Sequence, residues 1–259
     1  MIYVLSAELL KFLYDLKKYR FNYTMGLIGT FILLTGVYWG AKSLSVSGGN
    51  ATMFVGIVLW LFASTCISDA STHLLEERWY GTIEQLSITR FSLLQIFMAR
   101  FFVDLLFSIV EIIVIGIPLF LIFSPGIGVF FAGVKHTIIS LILIIFLILT
   151  LYGFGLFLAA LGLIFKKVGT FSGVLEYLIL FFTGIVVPYE SMPEVLRIVA
   201  NILPMGLGIR GLRGLENGVV QWGYIWLSGV YSLLILLIAI AIFEMGIRYV
   251  KRTGEYSAY

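Results

Sequence analysis

One cysteine and two histidines in 259 residues leave little for redox or metal chemistry. A lone Cys66 can form no internal disulfide and no Cys-based metal site. It sits in an apolar run and reads as a small buried hydrophobe. His73 and His136 are far apart and lack HExxH spacing, so no metal ligand set is predicted. Charge is scarce too: Asp, Glu, Lys and Arg make up 12% of the chain, about half the usual share. A disordered chain needs the opposite balance. With a net charge of +3 and scattered basic residues, nucleic acid is excluded as a partner. There is no Gly-Lys pair, so a Walker A loop for ATP is absent. The G-x-S-x-G pattern is missing as well, and no catalytic residue is predicted. The two halves show no clear inverted repeat of the secondary-transporter kind.

What is abundant is apolar. Hydrophobic residues reach 61% and the mean hydropathy is +1.07, against a usual apolar share of about 45–50%. A soluble domain of this size has to keep its outside wet and cannot hide that much apolar surface. The composition predicts an all-α, polytopic membrane protein forming one transmembrane domain, 1–259. Charge-poor runs of roughly 20 residues predict six spans: 21–41, 51–70, 101–124, 137–165, 168–188 and 221–247.

Lys and Arg in the connections set the orientation. One side holds Lys11, Lys17, Lys18, Arg20, Arg78, Arg90, Arg100, Lys166, Lys167, Arg248, Lys251 and Arg252; the other holds only Lys42, Lys135, Arg197, Arg210 and Arg213. The richer side, with both termini, is expected in the cytoplasm and the chain in the cell (inner) membrane. Trp222, Tyr224 and Trp226 form an aromatic anchor at the outer end of the last span. In the first 20 residues, Glu8, Lys11, Asp15, Lys17 and Lys18 break up any signal-peptide core. Leu5, Leu9, Phe12, Leu13 and Leu16 share one helical face, which predicts an amphipathic interface helix over 1–20.

Two connections are longer than a linker needs. The cytoplasmic one, 73–91, reads as a helical elbow. Gly81 stops one helix in the left-handed region, Thr82-Ile-Glu-Gln85 has capping-box spacing, and Ser92-Leu-Leu-Gln95 opens the next helix the same way. Glu76, Glu77 and Glu84 are expected to be exposed, on an elbow that docks a partner. The other, 189–218, is expected outside. Ser191-Met-Pro-Glu194 has capping-box spacing with Pro193 in the first turn; the helix stops before Pro204, and a Gly-rich stretch follows. Together they predict a re-entrant hairpin, tolerated at membrane depth only where protein or water covers the backbone.

Charge at depth is costly, so an ionisable residue there is a functional candidate. Arg100, Asp104, Ser108 and Glu111 lie on one helical stripe of the third span. Arg100 and Asp104, four apart, are expected to pair, as are Glu244 and Arg248. Glu111 has no partner in its own helix; with Asp104 it is a candidate for a translocation path or a dimer seam, and pairing across a helix interface is the alternative. Glu176 lies inside the fifth span. Gly36-x-x-x-Gly40 and Gly169-x-x-x-Gly173 permit close helix packing.

The elbow Glu76-Glu-Arg-Trp-Tyr-Gly-Thr-Ile-Glu-Gln-Leu-Ser-Ile-Thr89 resembles the E-x-E-R-x-x-G-T-x-E-x-L-x-x-T-P signature of membrane subunits of ABC-2 type exporters. The segment Gly184-Ile-Val-Val-Pro-Tyr-Glu-Ser-Met-Pro193, with Leu203-Pro204 and Arg210 to Arg213, is similar to that family's second signature. Arg90 stands where the family usually has proline, and bulky Trp79-Tyr80 precede the glycine. The resemblance covers nearly the whole chain. It implies a permease subunit that pairs with a second permease, as homodimer or heterodimer, among membrane lipids. Separate cytoplasmic ABC ATPase subunits would carry the ATP and Mg, with no cofactor in this chain. Glu76, Glu77, Arg78, Gly81, Thr82, Glu84 and Gln85 would then couple to the ATPase, and Pro188, Ser191, Pro193, Pro204 and Arg210 would shape the external re-entrant helix. A membrane-embedded enzyme or assembly factor using the intramembrane carboxylates is the other reading of the residues.

Overall fold

The computed structural model describes residues 2–43, 50–79, 81–165, 168–203 and 205–253. Among them are α-helices joined by short turns and no strand. Five helices are long and apolar enough to cross a membrane, as expected when every backbone polar group has to be satisfied within its own segment. The chain is a multi-pass, all-α membrane protein.

α1 (Ile2–Lys18) lies along the N-terminal part of α5. α2 (Arg20–Ser43) is a span with few neighbours: only Leu34, Tyr38 and Ala41 are buried. α3 (Asn50–Trp79) is the central helix, and 78% of its apolar stretch Asn50–Ile67 is buried. It continues without a break past the membrane-length stretch and supplies the first limb of the elbow itself. α4 (Thr82–Ser87) is the second limb.

α5 (Leu93–Glu111) and α6 (Ile117–Phe123) form one continuous span, joined by a wider helical turn over Ile112–Gly116. Pro118 explains the turn. Its ring excludes the carbonyl four residues back and it offers no N–H, so the hydrogen-bond register slips by one residue upstream. α7 (Val134–Phe165) packs along α3 and α11 (Trp222–Thr253). Their contact uses glycines at a spacing the sequence did not flag. A Cβ on Gly153 would lie 3.0 Å from the Leu236 amide nitrogen, and one on Gly155 would lie 2.6 Å from the Cys66 carbonyl. By contrast, Cβ atoms on Gly36, Gly40, Gly169 and Gly173 would meet nothing within 4 Å. Those two spaced pairs do not bring helices together within this chain.

The 168–188 segment is not one long helix. α8 (Gly169–Phe182) is 14 residues, about 21 Å of helix. The chain then bends at Gly184, whose φ of 92° is a left-handed-side value open to glycine, and runs in irregular backbone to Pro188. α9 (Glu194–Ile202) and α10 (Gly206–Glu216) follow, meeting at 103°. Glycines seat α10: a Cβ on Gly206 would overlap the Ala200 carbonyl at 2.0 Å, and one on Gly208 would overlap the Leu147 side chain at 2.4 Å.

Candidate functional site

At one end of the bundle, the elbow, α1 and the start of α5 are joined by charge. Arg100 is only 6% exposed. Its Nε and Nη2 donate to the two carboxylate oxygens of Glu8 at 3.0 and 3.2 Å, and Nη2 also donates to Glu77 at 2.9 Å. Lys11 Nζ reaches the same Glu77 oxygen at 3.2 Å. The Thr82 hydroxyl, across the Gly81 turn, donates to the Glu77 carbonyl at 3.1 Å and to its carboxylate. One guanidinium therefore ties α1, the central helix α3 and α5 together, and Glu77 adds the second limb of the elbow. Beside it, Val4, Ile96 and Ala99 form a small apolar cluster joined by Leu5, Leu86 and Phe91, so the same three parts are also held by burial.

Several expectations change here. Glu77 is 8% exposed, not an exposed docking charge. Burial pushes its carboxyl up, but the Thr82 hydroxyl and the Arg100 and Lys11 cations outweigh that and hold it below the ordinary carboxylate range. Arg100 turns to Glu8 and Glu77 rather than to Asp104 one turn on, because charge-assisted forks to two buried carboxylates outweigh one local pair. Glu8, read as a polar interruption of α1, is the main counter-ion; it lies on the face of Leu5, Leu9 and Phe12, and that alignment was the available signal. Thr82 does not cap α4. The residue before the helix is Gly81, at φ 67° and ψ 18°, and the Thr82 hydroxyl is already engaged with Glu77. Gln85 is exposed on the second limb. The side chains of Glu76, Arg78 and Glu84 lie outside the described residues.

The exit from the elbow needs no proline. Thr89 donates its amide and hydroxyl to the Leu86 carbonyl at 3.2 and 2.8 Å. Arg90 lays its guanidinium over the Phe91 ring, 5.1 Å from the centroid. The capping box at Ser92 and Gln95 then forms as its spacing predicts, with bonds of 3.2 and 3.1 Å.

Along the third span, Arg100, Asp104 and Ser108 face inward at 6, 5 and 0% exposure. Asp104 shares a small internal pocket with Arg100, Phe97, Phe101 and Tyr152. Glu111 stands where the helix widens and accepts a 3.1 Å bond from Thr65 of α3. The adjacent Ser64 donates to Glu176 of α8 at 3.1 Å, and Trp60 donates to the Glu176 carbonyl at 2.8 Å. Two carboxylates on apolar helices are thus held across helix interfaces by neighbouring hydroxyls of the central helix. Glu244 and Arg248 pair at 3.5 Å on the exposed face of α11.

The hairpin occupies the opposite end. Ser191 does not cap α9. Its hydroxyl turns back to the Pro188 carbonyl at 2.8 Å, inside a tight turn over Tyr189–Ser191, and the residue preceding the helix is Pro193, which has no side-chain acceptor. Arg197 secures the turn through the Met192 and Glu190 carbonyls at 2.9 and 2.8 Å. Arg210 is clasped by aromatics, 4.2 Å from the Tyr189 ring and 5.1 Å from the Tyr224 ring, and donates to Asn201 at 2.6 Å. Arg213, on the next turn, donates to the Gly184 carbonyl at 2.7 Å and pins the bend after α8. Glu216, which had no sequence signal, accepts the Ala51 and Thr52 amides at 3.0 and 2.9 Å, satisfying the first turn of the central helix. Pro204 lies outside the described residues. On α9, Val195, Ile198 and Ile202 point outward, a face suited to lipid or to another subunit.

A family model for the ABC-2 type transporter membrane domain, ABC2_membrane, matches residues 2–217. The chain belongs to the ABC-2 type transporter family. The match runs from α1 through the elbow to the end of the hairpin, so both structured connections are within it. A comparison with curated proteins gives no match. As an ABC-2 permease the chain is a transport component with no ATP site of its own.

Proposed function

We propose that this permease works as one of a pair in the cell (inner) membrane, with both termini cytoplasmic, driven by separately encoded ATPase subunits that bind ATP and Mg. The elbow, 73–91, seats in the ATPase through Glu76, Arg78, Glu84 and Gln85. Gly81 and Thr82 set the angle between its limbs, and Glu77 roots it in the membrane domain. The observation that carries this reading is the Arg100 cluster. A docking loop that has to move helices needs a stiff root, and this one is bolted to the interface helix and to the third span at once. A push on the elbow then reaches the helix that carries Asp104 and Glu111. Those two carboxylates line the path between the paired permeases, under the hairpin built around Pro188, Ser191, Pro193, Pro204 and Arg210.

The test is co-purification with a Walker A ATPase, followed by ATPase and export assays in liposomes. Gly81→Pro removes the φ of 67° that the elbow needs, and Glu84→Lys reverses a docking charge. Both are expected to leave insertion intact and to lower permease-dependent ATPase stimulation at least tenfold. Unchanged stimulation in both variants refutes the coupling role.

A further inference from the structure

Beneath the hairpin is a cleft of about 610 Å³, with Glu190, Arg210, Arg213, Asn217, Gln221 and Tyr224 among its lining residues. Arg213 is its unusual member. It is 8% exposed, and of its three guanidinium nitrogens only Nη2 has a hydrogen-bond partner among the described residues, the Gly184 carbonyl. Its Nε is buried with none. Arg213 also makes no ion pair among the described residues. Glu216 is within electrostatic reach, but its two oxygens are held by the Ala51 and Thr52 amides. Glu190 is exposed at the rim. Glu190 and Glu216 act on Arg213 only at a distance; a buried guanidinium with an orphaned Nε and no direct ion pair is costly, and folded proteins usually satisfy both. Two further buried hydroxyls without partners, Tyr38 and Thr52, flank the same Glu216, so the orphaned polar atoms gather at this end of the bundle.

We propose that this cleft is an anion site that seats a phosphodiester headgroup, with Arg213 as its direct ligand. A guanidinium fork matches a phosphate in geometry and charge. Among the lining residues two cations, Arg210 and Arg213, stand against one carboxylate, Glu190, which favours an anionic occupant. The cleft far exceeds a bare phosphate ion, and Asn217, Gln221 and Tyr224 offer donors and acceptors for hydroxyls on the substituents.

The headgroup can come from a phospholipid or from a soluble ester, and the experiment separates the two. The purified full chain is placed in nanodiscs. Retention of phosphatidylglycerol over phosphatidylcholine is read by native mass spectrometry, and binding of glycerophosphoglycerol by equilibrium dialysis. Saturable binding of either probe is expected; lipid retention alone assigns the membrane source, and dialysis binding assigns the soluble one. Arg213→Gln is expected to weaken binding about tenfold or more. Glu190→Gln, at an exposed position that preserves the fold, is expected to tighten it severalfold. Absence of binding by both probes overturns the proposal. So does Glu190→Gln binding that is unchanged or weaker, even where Arg213→Gln fails to fold. No ATPase takes part in this measurement, so its failure leaves the coupling proposal standing.

Discussion

Replacing Arg100 by methionine tests the joint between elbow and membrane domain. The side chain is 7% exposed and its partners Glu8 and Glu77 are 13 and 10% exposed, so all three charges are largely out of water. Removing the guanidinium deletes three charge-assisted bonds. Glu8 loses the guanidinium that holds both its oxygens, and Glu77 is left with the half-exposed Lys11 and the Thr82 hydroxyl among the described residues. Breaking a buried ionic cluster by taking one partner away costs about 3–5 kcal/mol, because a charge is left buried and uncompensated. Neutralising the whole cluster removes that penalty. The triple variant Arg100→Met, Glu8→Gln, Glu77→Gln is therefore expected to be more stable than Arg100→Met alone. Thermal unfolding in detergent measures both: the single variant is expected to unfold on the order of 10 °C lower, and the triple variant to recover a good part of it. Protease sensitivity of α1 checks that the loss is local. A single variant that costs less than about 1 kcal/mol, or a triple variant no better than the single, refutes the claim that Arg100 is the joint.

Further outcomes follow from the same contacts. The Glu77 carboxyl is held below its ordinary range, so it stabilises the fold above about pH 4.5 and that contribution is lost as pH falls through the lowered value; a stability profile from pH 7 to pH 3 checks it. In Arg100→Met the guanidinium is gone and burial weighs more, so this acid loss is expected to shrink or reverse in sign. Gly155→Ala puts a methyl 2.6 Å from the Cys66 carbonyl and is expected to lower stability by about 1–3 kcal/mol, whereas Gly36→Ala, which meets nothing within 4 Å, is expected to leave it nearly unchanged in the single chain. Glu216→Ala frees the Ala51 and Thr52 amides and is expected to cost about 1–2 kcal/mol, read as faster hydrogen exchange in the first turn of α3.

The hydrophobic runs, the helix α1, the glycine stop at Gly81 and the capping box at Ser92 were all legible in the sequence. Each depends on neighbours within a few residues. What escaped depends on contacts between distant parts. Glu8 and Arg100 are 92 positions apart and Glu216 and Ala51 165 apart; no local pattern announces either. The two four-residue boxes that misled, at Thr82 and Ser191, had the right spacing, but Gly81 and Pro193 are the residues that precede α4 and α9, and the two hydroxyls donate to the Glu77 and Pro188 carbonyls within the turns. The close-packing glycines were missed because Gly153 and Gly155 stand on opposite sides of α7, one against α11 and the other against α3, so no spacing on a single face reveals them. The fifth span was read as one helix over 168–188, whereas the backbone bends at Gly184 to meet Arg213, a partner 29 positions away.

Site-directed cross-linking tests the central claim, that the elbow is where an ATPase attaches. The native Cys66 is 3% exposed, which leaves a quiet background for introduced thiols. Gln85→Cys places a thiol on the exposed face of the second limb, and Asn217→Cys places one at the hairpin end. With the ATPase co-expressed, the account expects a cross-link from position 85 that strengthens or weakens with nucleotide, and none from position 217. No cross-link from position 85, or an equal one from position 217, contradicts it.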